Sequence, residues 1–180
     1  MNQVLLINNN DEMVGTYDKV LAHEEGLLHR AFSVFIFNSK GQLLIQQRAA
    51  TKYHSPNLWT NTCCGHPLGN NTLIDDATQR LQEELGFTCE LTSIFAFKYH
   101  EKVSSTMFEN EYDHILIGRS DAVPTPNPIE VQDYDYQTIE SINRQLYQTP
   151  SIYTAWFKLI ILRFPTLLLI EKNKLLAKAK

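Results

Sequence analysis

Residues 65–87 read GHPLGNNTLIDDATQRLQEELGF and contain the clearest helical pattern of the chain. The apolar residues that recur at helical spacing are Ile74, Ala77, Leu81 and Leu85. Thr72 is a suitable N-cap for this helix, and Gly86 is a suitable residue to end it. The spacing therefore predicts an α-helix over residues 72–85 with one apolar face.

The same stretch is similar to a Nudix box, which reads Gly, five residues, Glu, seven residues, Arg-Glu, apolar, any, Glu-Glu, any, Gly, apolar. The spacing fits, but Asn71 and Arg80 stand where the box has Glu. In Nudix hydrolases those carboxylates bind divalent metals and help to activate water. Arg80 and Glu84 still share a helix face, which could hold a phosphate oxygen and a bridging Mg²⁺. A solvated ion pair explains the same spacing, and helical periodicity leaves both interpretations open.

The segments around this helix predict both strands and helices. We expect strands over residues 4–8, 30–38, 43–47, 95–100 and 113–119, with the second covered on both faces. Further helices are expected over residues 139–148 and 152–164, and a long loop over residues 51–68. Because the order shows no regular βαβ alternation, the fold class is predicted as α+β, a Nudix-like mixed sheet sandwiched between helices.

Length and charge exclude several classes of protein. The chain has 180 residues, which predicts a single domain over residues 1–180. With 20 acidic and 16 basic side chains its net charge is −4, which argues against a nucleic-acid partner. The N-terminus lacks a basic leader, and the apolar residues 156–170 are interrupted by charges and a proline, so no membrane span is expected. Three cysteines do not make a disulfide framework, and we therefore predict a cytoplasmic protein.

Three further motifs occur in a fixed order along the chain. They are T-N-T-C-C-G-H-P at residues 60–67, E-N-E at 109–111 and T-A-W-F-K at 154–158. Together with the histidine-containing residues 26–35, they resemble the type 1 isopentenyl-diphosphate Δ-isomerases. These enzymes have a Nudix-like fold with a degenerate box, which accounts for the two missing acids. The resemblance implies interconversion of isopentenyl and dimethylallyl diphosphate through a carbocation-like state.

The resemblance also implies four catalytic residues. Cys64 matches the catalytic cysteine, and Glu111 matches the second proton-transfer residue. Tyr99 and Trp156 match aromatic residues of the active site, although helical spacing alone favours Trp156 as a core residue. The adjacent Cys63 is expected to point away from Cys64, because neighbouring side chains of an extended segment alternate. Zinc or disulfide pairing of adjacent cysteines is disfavoured by spacing.

Binding residues follow from the resemblance as well. The diphosphate ligands would be Lys19, Arg48, Lys52 and Arg80. The metal ligands would be His23, His29, His66, Glu109 and Glu111, with Glu84 joining an Mg²⁺ that accompanies the diphosphate. Three imidazoles and two carboxylates suit Mn²⁺, Mg²⁺ or Zn²⁺ without selecting one. No role is predicted for His54, His100 or His114.

Two other functions remain as alternatives at this stage. The helix spacing favours a Nudix hydrolase that cleaves a nucleoside diphosphate derivative, against which Asn71 and Arg80 count. The second alternative is a module without catalytic activity that binds a diphosphate or a metal. The sequence leaves open whether the protein is a monomer or a homodimer.

Overall fold

The computed structural model of the chain describes residues 3–69 and 71–177. These residues form one nine-stranded mixed sheet with five α-helices and a short 3-10 helix, Pro150–Ile152. The strands are β1 Gln3–Ile7, β2 Met13–Asp18, β3 His29–Phe37, β4 Leu43–Arg48, β5 Trp59–Thr60, β6 Cys63–Gly65, β7 Leu91–Lys102, β8 Phe108–Arg119 and β9 Val131–Gln137. The helices are α1 Lys19–Glu25, α2 Leu73–Leu85, α3 Ile139–Gln148, α4 Ala155–Arg163 and α5 Pro165–Ala177.

Strand β3 is the centre of the sheet, as its apolar sequence predicts. It pairs in parallel with β8 and antiparallel with β6, β1 and the start of β4. Phe35 and Phe37 pack into a core cluster with residues of α3, α4 and α5. Val34 and Ile36 point to the other face and pack with residues of α2. The sheet therefore lies between helices, and the predicted α+β class is confirmed.

Helix α2 begins and ends where its sequence predicts. Thr72 and Asp75 form a capping box, in which each side chain bonds the other residue's backbone N–H. Gly86 ends the helix with φ 75°, a left-handed conformation that favours glycine. Leu81 and Leu85 are fully buried, whereas Ile74 is exposed. The buried face of the helix therefore includes Ala77, Leu81 and Leu85 but not the predicted Ile74.

Two predictions about the chain path are wrong. Residues 51–68 are not a continuous loop, because β5 and β6 lie within them and pair with β4 and β3. The buried Thr62 fixes this region by donating to the Leu44 carbonyl oxygen at 2.5 Å. Predicted helix 152–164 starts only at Ala155, after the 3-10 helix, and it ends at Arg163, just before Pro165 opens α5. Within the described residues, every helix falls short of the length and apolar character that crossing a membrane requires.

Candidate active site

A cavity of about 590 Å³ opens between α2, the sheet and α4. This volume lies in the range of about 300–1,000 Å³ that is typical of small-molecule sites. The predicted site residues that line it are Cys64, Glu111, Tyr99, Trp156, Lys19, Arg48, Lys52, Arg80, Glu84, His66 and Glu109. His23 and His29 are fully buried and contact the two glutamates. The structure thus brings together all the residues that the motifs singled out.

Pairing of β6 with β3 orients the two adjacent cysteines. Cys64 lies opposite Ser33, and Cys63 lies opposite Val34. Cys63 is fully buried in the α2 core, whereas Cys64 is partly buried and lines the cavity. The two side chains therefore point to opposite faces, as predicted. Burial raises the pKa of the Cys64 thiol to about 12, so this thiol carries its proton at neutral pH.

Strands β7 and β8 place a tyrosine beside a glutamate. Tyr99 and Glu111 are register partners, and the Tyr99 hydroxyl donates to Glu111 Oε2 at 2.5 Å. Burial, together with the charge of Glu111, raises the Tyr99 pKa well above its usual value. The phenol therefore stays protonated and serves as a hydrogen-bond donor to the carboxylate. Glu109 lies two residues earlier on the same face of β8.

Three histidines converge on these two carboxylates. His23 lies in the last turn of α1, His29 starts β3 and pairs with Glu111, and His66 follows β6. The distances from each Nε2 to the nearest carboxylate oxygen are 3.2 Å from His23 to Glu109, 3.5 Å from His29 to Glu111 and 2.9 Å from His66 to Glu111. One possible ligand atom from each of the five residues lies within 4.8 Å of all the others. This arrangement has the compactness of a metal site.

The hydrogen bonds of the buried histidines show that the group fits a cation. His23 Nδ1 is 2.6 Å from the Lys19 carbonyl oxygen, and His29 Nδ1 is 2.8 Å from that of Leu27. A carbonyl oxygen only accepts, so in the neutral rings Nδ1 holds the proton and Nε2 presents a lone pair. Both Nε2 atoms and Glu109 Oε2 are buried without a hydrogen-bond partner. Lone pairs that face one another in this way repel, and a cation between them would remove that repulsion.

The charge of the group leads to the same conclusion. Burial and the neighbouring Glu111 raise the pKa of the Glu109 carboxyl well above its usual value. Two buried carboxylates repel, and a divalent ion would remove that repulsion. Three imidazole nitrogens with two carboxylate oxygens suit Mn²⁺, Mg²⁺ or Zn²⁺.

Four cations also line the cavity. Lys19 opens α1, Arg48 ends β4, Lys52 follows in the next loop and Arg80 lies on α2. Arg48 is anchored by donating to the backbone oxygens of Ser55 and His54, and its guanidinium lies 5.3 Å from the Trp156 ring centre. Such a convergence of positive charge on one cavity suits an anion.

The Arg80–Glu84 pair suggested by helical spacing is present, but it is not solvated. Arg80 Nη2 lies 2.7 Å from Glu84 Oε1, and Gln46 Nε2 donates to Glu84 Oε2 at 2.7 Å. Glu84 is only 3% exposed, so both carboxylate oxygens are used inside the protein. It also lies outside the five-residue His/Glu group. Its role as an Mg²⁺ ligand stays a prediction.

Three residues of the site carried no predicted role. Asn61 accepts a hydrogen bond from Trp156 Nε1 at 3.2 Å, which orients the indole. Glu130 Oε2 contacts both Lys52 Nζ and Arg80 Nη2. His54 Nε2 lies 3.1 Å from Glu109 Oε1. Asn61 stands within the quoted T-N-T motif, which is a signal that could have identified it.

Proteins with known names resemble this chain over nearly its whole length. The NUDIX domain family matches residues 27–157. The isopentenyl-diphosphate Delta-isomerase of Pectobacterium atrosepticum is 44% identical over 165 residues, which cover 92% of this chain and 92% of that protein. The isopentenyl-diphosphate Delta-isomerase 2 of Photorhabdus laumondii is 46% identical over 162 residues, which cover 89% of this chain and 92% of that protein.

Solved structures share the fold at lower identity. DR0079 from Deinococcus radiodurans superposes with a TM-score of 0.72 at 23% identity, covering 89% of this chain and 98% of that one. The MutT protein from Methanosarcina mazei gives a TM-score of 0.63 at 17% identity, covering 77% of this chain and 94% of that one. These likenesses support the arrangement of sheet and helices described above.

Proposed function

The chain belongs to the isopentenyl-diphosphate Delta-isomerases, and we propose that Cys64 and Glu111 carry out the proton transfers of its reaction. It interconverts isopentenyl diphosphate and dimethylallyl diphosphate. The observation that carries the proposed roles is the placement of the Cys64 thiol and the Tyr99–Glu111 pair on one cavity. The same cavity is lined by His66, Glu109 and Glu111 of the His/Glu group and by the four cations.

The reaction needs one acid and one base at fixed positions. One of Cys64 and Glu111 adds a proton to the terminal alkene carbon, which becomes a methyl group. The other removes a proton from the carbon on the far side of the cationic centre, so the proton count of the substrate is unchanged. The protonated Cys64 thiol is a competent proton source, and Tyr99 holds the Glu111 carboxylate in place.

Trp156 stabilises the cationic state in this proposal. Its ring is 3% exposed, lines the cavity and is tethered through Nε1 to Asn61. An aromatic face next to a desolvated cation contributes about 2 kcal/mol, which is roughly thirtyfold in rate if it acts only in the transition state. The indole is also part of the hydrophobic core, which explains why Trp156 follows the helical spacing of apolar residues. In this proposal the same side chain therefore contributes to packing and to catalysis.

The proposed metal ligands are His23, His29, His66, Glu109 and Glu111. When bound, Mn²⁺, Mg²⁺ or Zn²⁺ would neutralise the negative charge of the two buried carboxylates. Glu111 would then be held as a ligand and would also exchange a proton with the substrate. The diphosphate would bind Lys19, Arg48, Lys52 and Arg80, and Glu84 would join the Mg²⁺ that accompanies it.

A hydrolase fits the site less well. Asn71 and Arg80 stand where the Nudix box has carboxylates. Asn71 donates to Asp76 Oδ1 at 3.1 Å, and Arg80 contacts Glu84 and Glu130. An amide lacks the negative charge of a carboxylate, and a guanidinium has no acceptor atom to offer a metal, so two of the carboxylates of a hydrolytic centre are missing.

The decisive experiment is an assay with isopentenyl diphosphate and Mg²⁺ in D₂O, with analysis of both organic products and free phosphate. We expect dimethylallyl diphosphate with deuterium in a methyl group and no release of phosphate. Phosphate without the isomer would instead establish the hydrolase. A protein that binds the substrate and releases neither product would be the silent binding module.

Glu130 yields a prediction about substrate affinity. Its Oε2 contacts both Lys52 and Arg80, and thus occupies a place that a phosphate oxygen would otherwise take. We expect Glu130→Gln to lower KM for isopentenyl diphosphate about fivefold, equivalent to about 1 kcal/mol, with kcat retained. Steady-state kinetics would measure the change, with the exposed Glu90→Gln as matched control. An unchanged or higher KM would show that Glu130 does not compete with the substrate.

The remaining properties are proposed on simpler grounds. Cys63, Cys64 and Cys89 are free thiols, which is in keeping with a reducing cytoplasm. We take residues 1–180 as one domain whose partner is a small isoprenoid diphosphate, with no nucleic-acid or membrane partner. Size-exclusion chromatography with light scattering would distinguish a monomer from a homodimer.

A further inference from the structure

His54 is a buried histidine at the edge of the His/Glu group. It lies between β4 and β5, is 5% exposed, and lines the cavity. Its Nε2 is 3.1 Å from Glu109 Oε1, while the other carboxylate oxygen, Oε2, faces His23 Nε2 at 3.2 Å. His54 is not one of the five residues whose possible ligand atoms cluster within 4.8 Å. His54 therefore contacts the proposed ligand Glu109 on the oxygen that faces away from His23, and it does not belong to the group of ligand atoms that would surround the cation.

The chemistry of this contact defines what His54 can do. The carboxylate oxygen in this contact can only accept, so the role requires the tautomer of His54 that carries its proton on Nε2. The contact is made at Oε1, whereas Oε2 is the buried oxygen without a hydrogen-bond partner. Groups that hold the far side of a metal ligand typically fix its orientation and raise affinity for the ion.

The ring of His54 is itself held from several sides. It stacks on His23 with centres 5.6 Å apart and meets the Trp156 ring edge-on at 5.8 Å. Its backbone oxygen accepts from Arg48 Nη2 at 3.1 Å. The following Ser55 has φ 48°, a left-handed conformation that is uncommon outside glycine. These contacts fix the position of Nε2 beside Glu109 Oε1.

We propose that His54 is a positioning residue of the metal site, which directs Oε2 of Glu109 toward the ion by holding Oε1. The inference rests on the proposed function of the His/Glu group and deepens it. His54 also contacts Arg48 and Trp156. The loop that carries it therefore touches the proposed metal ligand Glu109, the diphosphate-binding Arg48 and the aromatic ring of Trp156.

The test compares side chains that differ in where they present a donor. The amide of His54→Gln reaches the position of Nε2, that of His54→Asn reaches only the position of Nδ1, and His54→Leu presents none. Mn²⁺ affinity of the metal-free protein would be measured by competition with a chromogenic chelator, without substrate. We expect about 10- to 100-fold weaker binding for the Asn and Leu variants, and a Gln variant within about threefold of wild type. His100→Leu, at an exposed histidine, is the matched control with unchanged affinity.

The outcomes separate this inference from the proposed metal site. If the wild-type chain and Glu109→Gln bind Mn²⁺ equally weakly, the metal site itself is wrong. If the wild type binds tightly and the Asn and Leu variants match it, only the role of His54 is overturned. Equal losses in the Gln and Asn variants would also overturn it, because the position of the donor would then be irrelevant. Circular dichroism of the metal-free variants would establish that each is folded, and the polar Gln–Asn pair keeps the test valid if Leu unfolds the loop.

Discussion

Cys64→Ala is expected to lower kcat for isopentenyl diphosphate isomerisation by about 10²- to 10⁴-fold, because proton transfer by a positioned side chain contributes a factor of that size. The thiol lines the cavity and is not part of the five-residue metal-ligand group, so metal content should stay at the wild-type level. Product analysis would measure the rate, and elemental analysis would measure the metal. Loss of turnover with full metal occupancy identifies a proton-transfer defect rather than a collapsed site.

The neighbouring cysteine supplies the control. Cys63 is fully buried in the core beside α2 and faces away from the cavity. Cys63→Ala should therefore keep kcat near the wild-type value and lower the free energy of unfolding by about 1–2 kcal/mol, as is common for a core truncation. Near-normal turnover by Cys64→Ala would show that the thiol is not an acid or a base in the reaction. Equal losses of activity in both variants would assign the effect to packing.

The opposite orientation of the two cysteines was predictable because it depends on local geometry alone. Side chains alternate along any extended segment, whichever strand it pairs with. The same alternation puts Glu109 and Glu111, two residues apart, on one face of β8. Helix α2 was predictable for a related reason, since its cap, its apolar spacing and its final glycine all lie within the helix or next to it.

Elements that depend on distant partners were not predictable in the same way. Strand β9, with the sequence VQDYDYQ, is polar, and it becomes a strand only through its pairing with β4. The two strands inside residues 51–68 are short and lack a periodic pattern. Helix α1 is likewise short, and its capping by Asp18 became evident only in the structure.

The same distinction applies to the site. Residues within recognisable motifs, such as Cys64, His66 and Glu111, converge as expected. Glu130 and His54 lie outside those motifs, and they enter the site because β9 and the segment after β4 fold over it. The sequence alone could indicate the chemistry of the centre, but the supporting contacts required three-dimensional placement.

Glu111→Gln is expected to lose both activity and metal affinity, and it is the most demanding test of the site. Glu111 Oε1 lies 2.9 Å from His66 Nε2 and 3.5 Å from His29 Nε2, while Oε2 accepts from Tyr99. Glutamine preserves the shape but removes the charge and the proton-accepting group. We expect kcat to fall by about 10²- to 10⁴-fold. Removing a ligand should weaken Mn²⁺ binding by more than the roughly 10- to 100-fold typical of outer contacts.

Tyr99→Phe separates the two roles of this carboxylate. It removes the hydrogen bond to Oε2 but leaves the Glu111 charge and the contacts of Oε1 with the histidines. Because Tyr99 contacts the far oxygen of a proposed ligand, chelator competition should give about 10-fold weaker Mn²⁺ binding. This loss should be smaller than that of Glu111→Gln, while kcat falls. Normal Mn²⁺ affinity in Glu111→Gln would contradict its place among the ligands, even if turnover were abolished. Retained turnover with lost Mn²⁺ would instead remove Glu111 from the proton transfers, because a glutamine side chain cannot exchange the required proton.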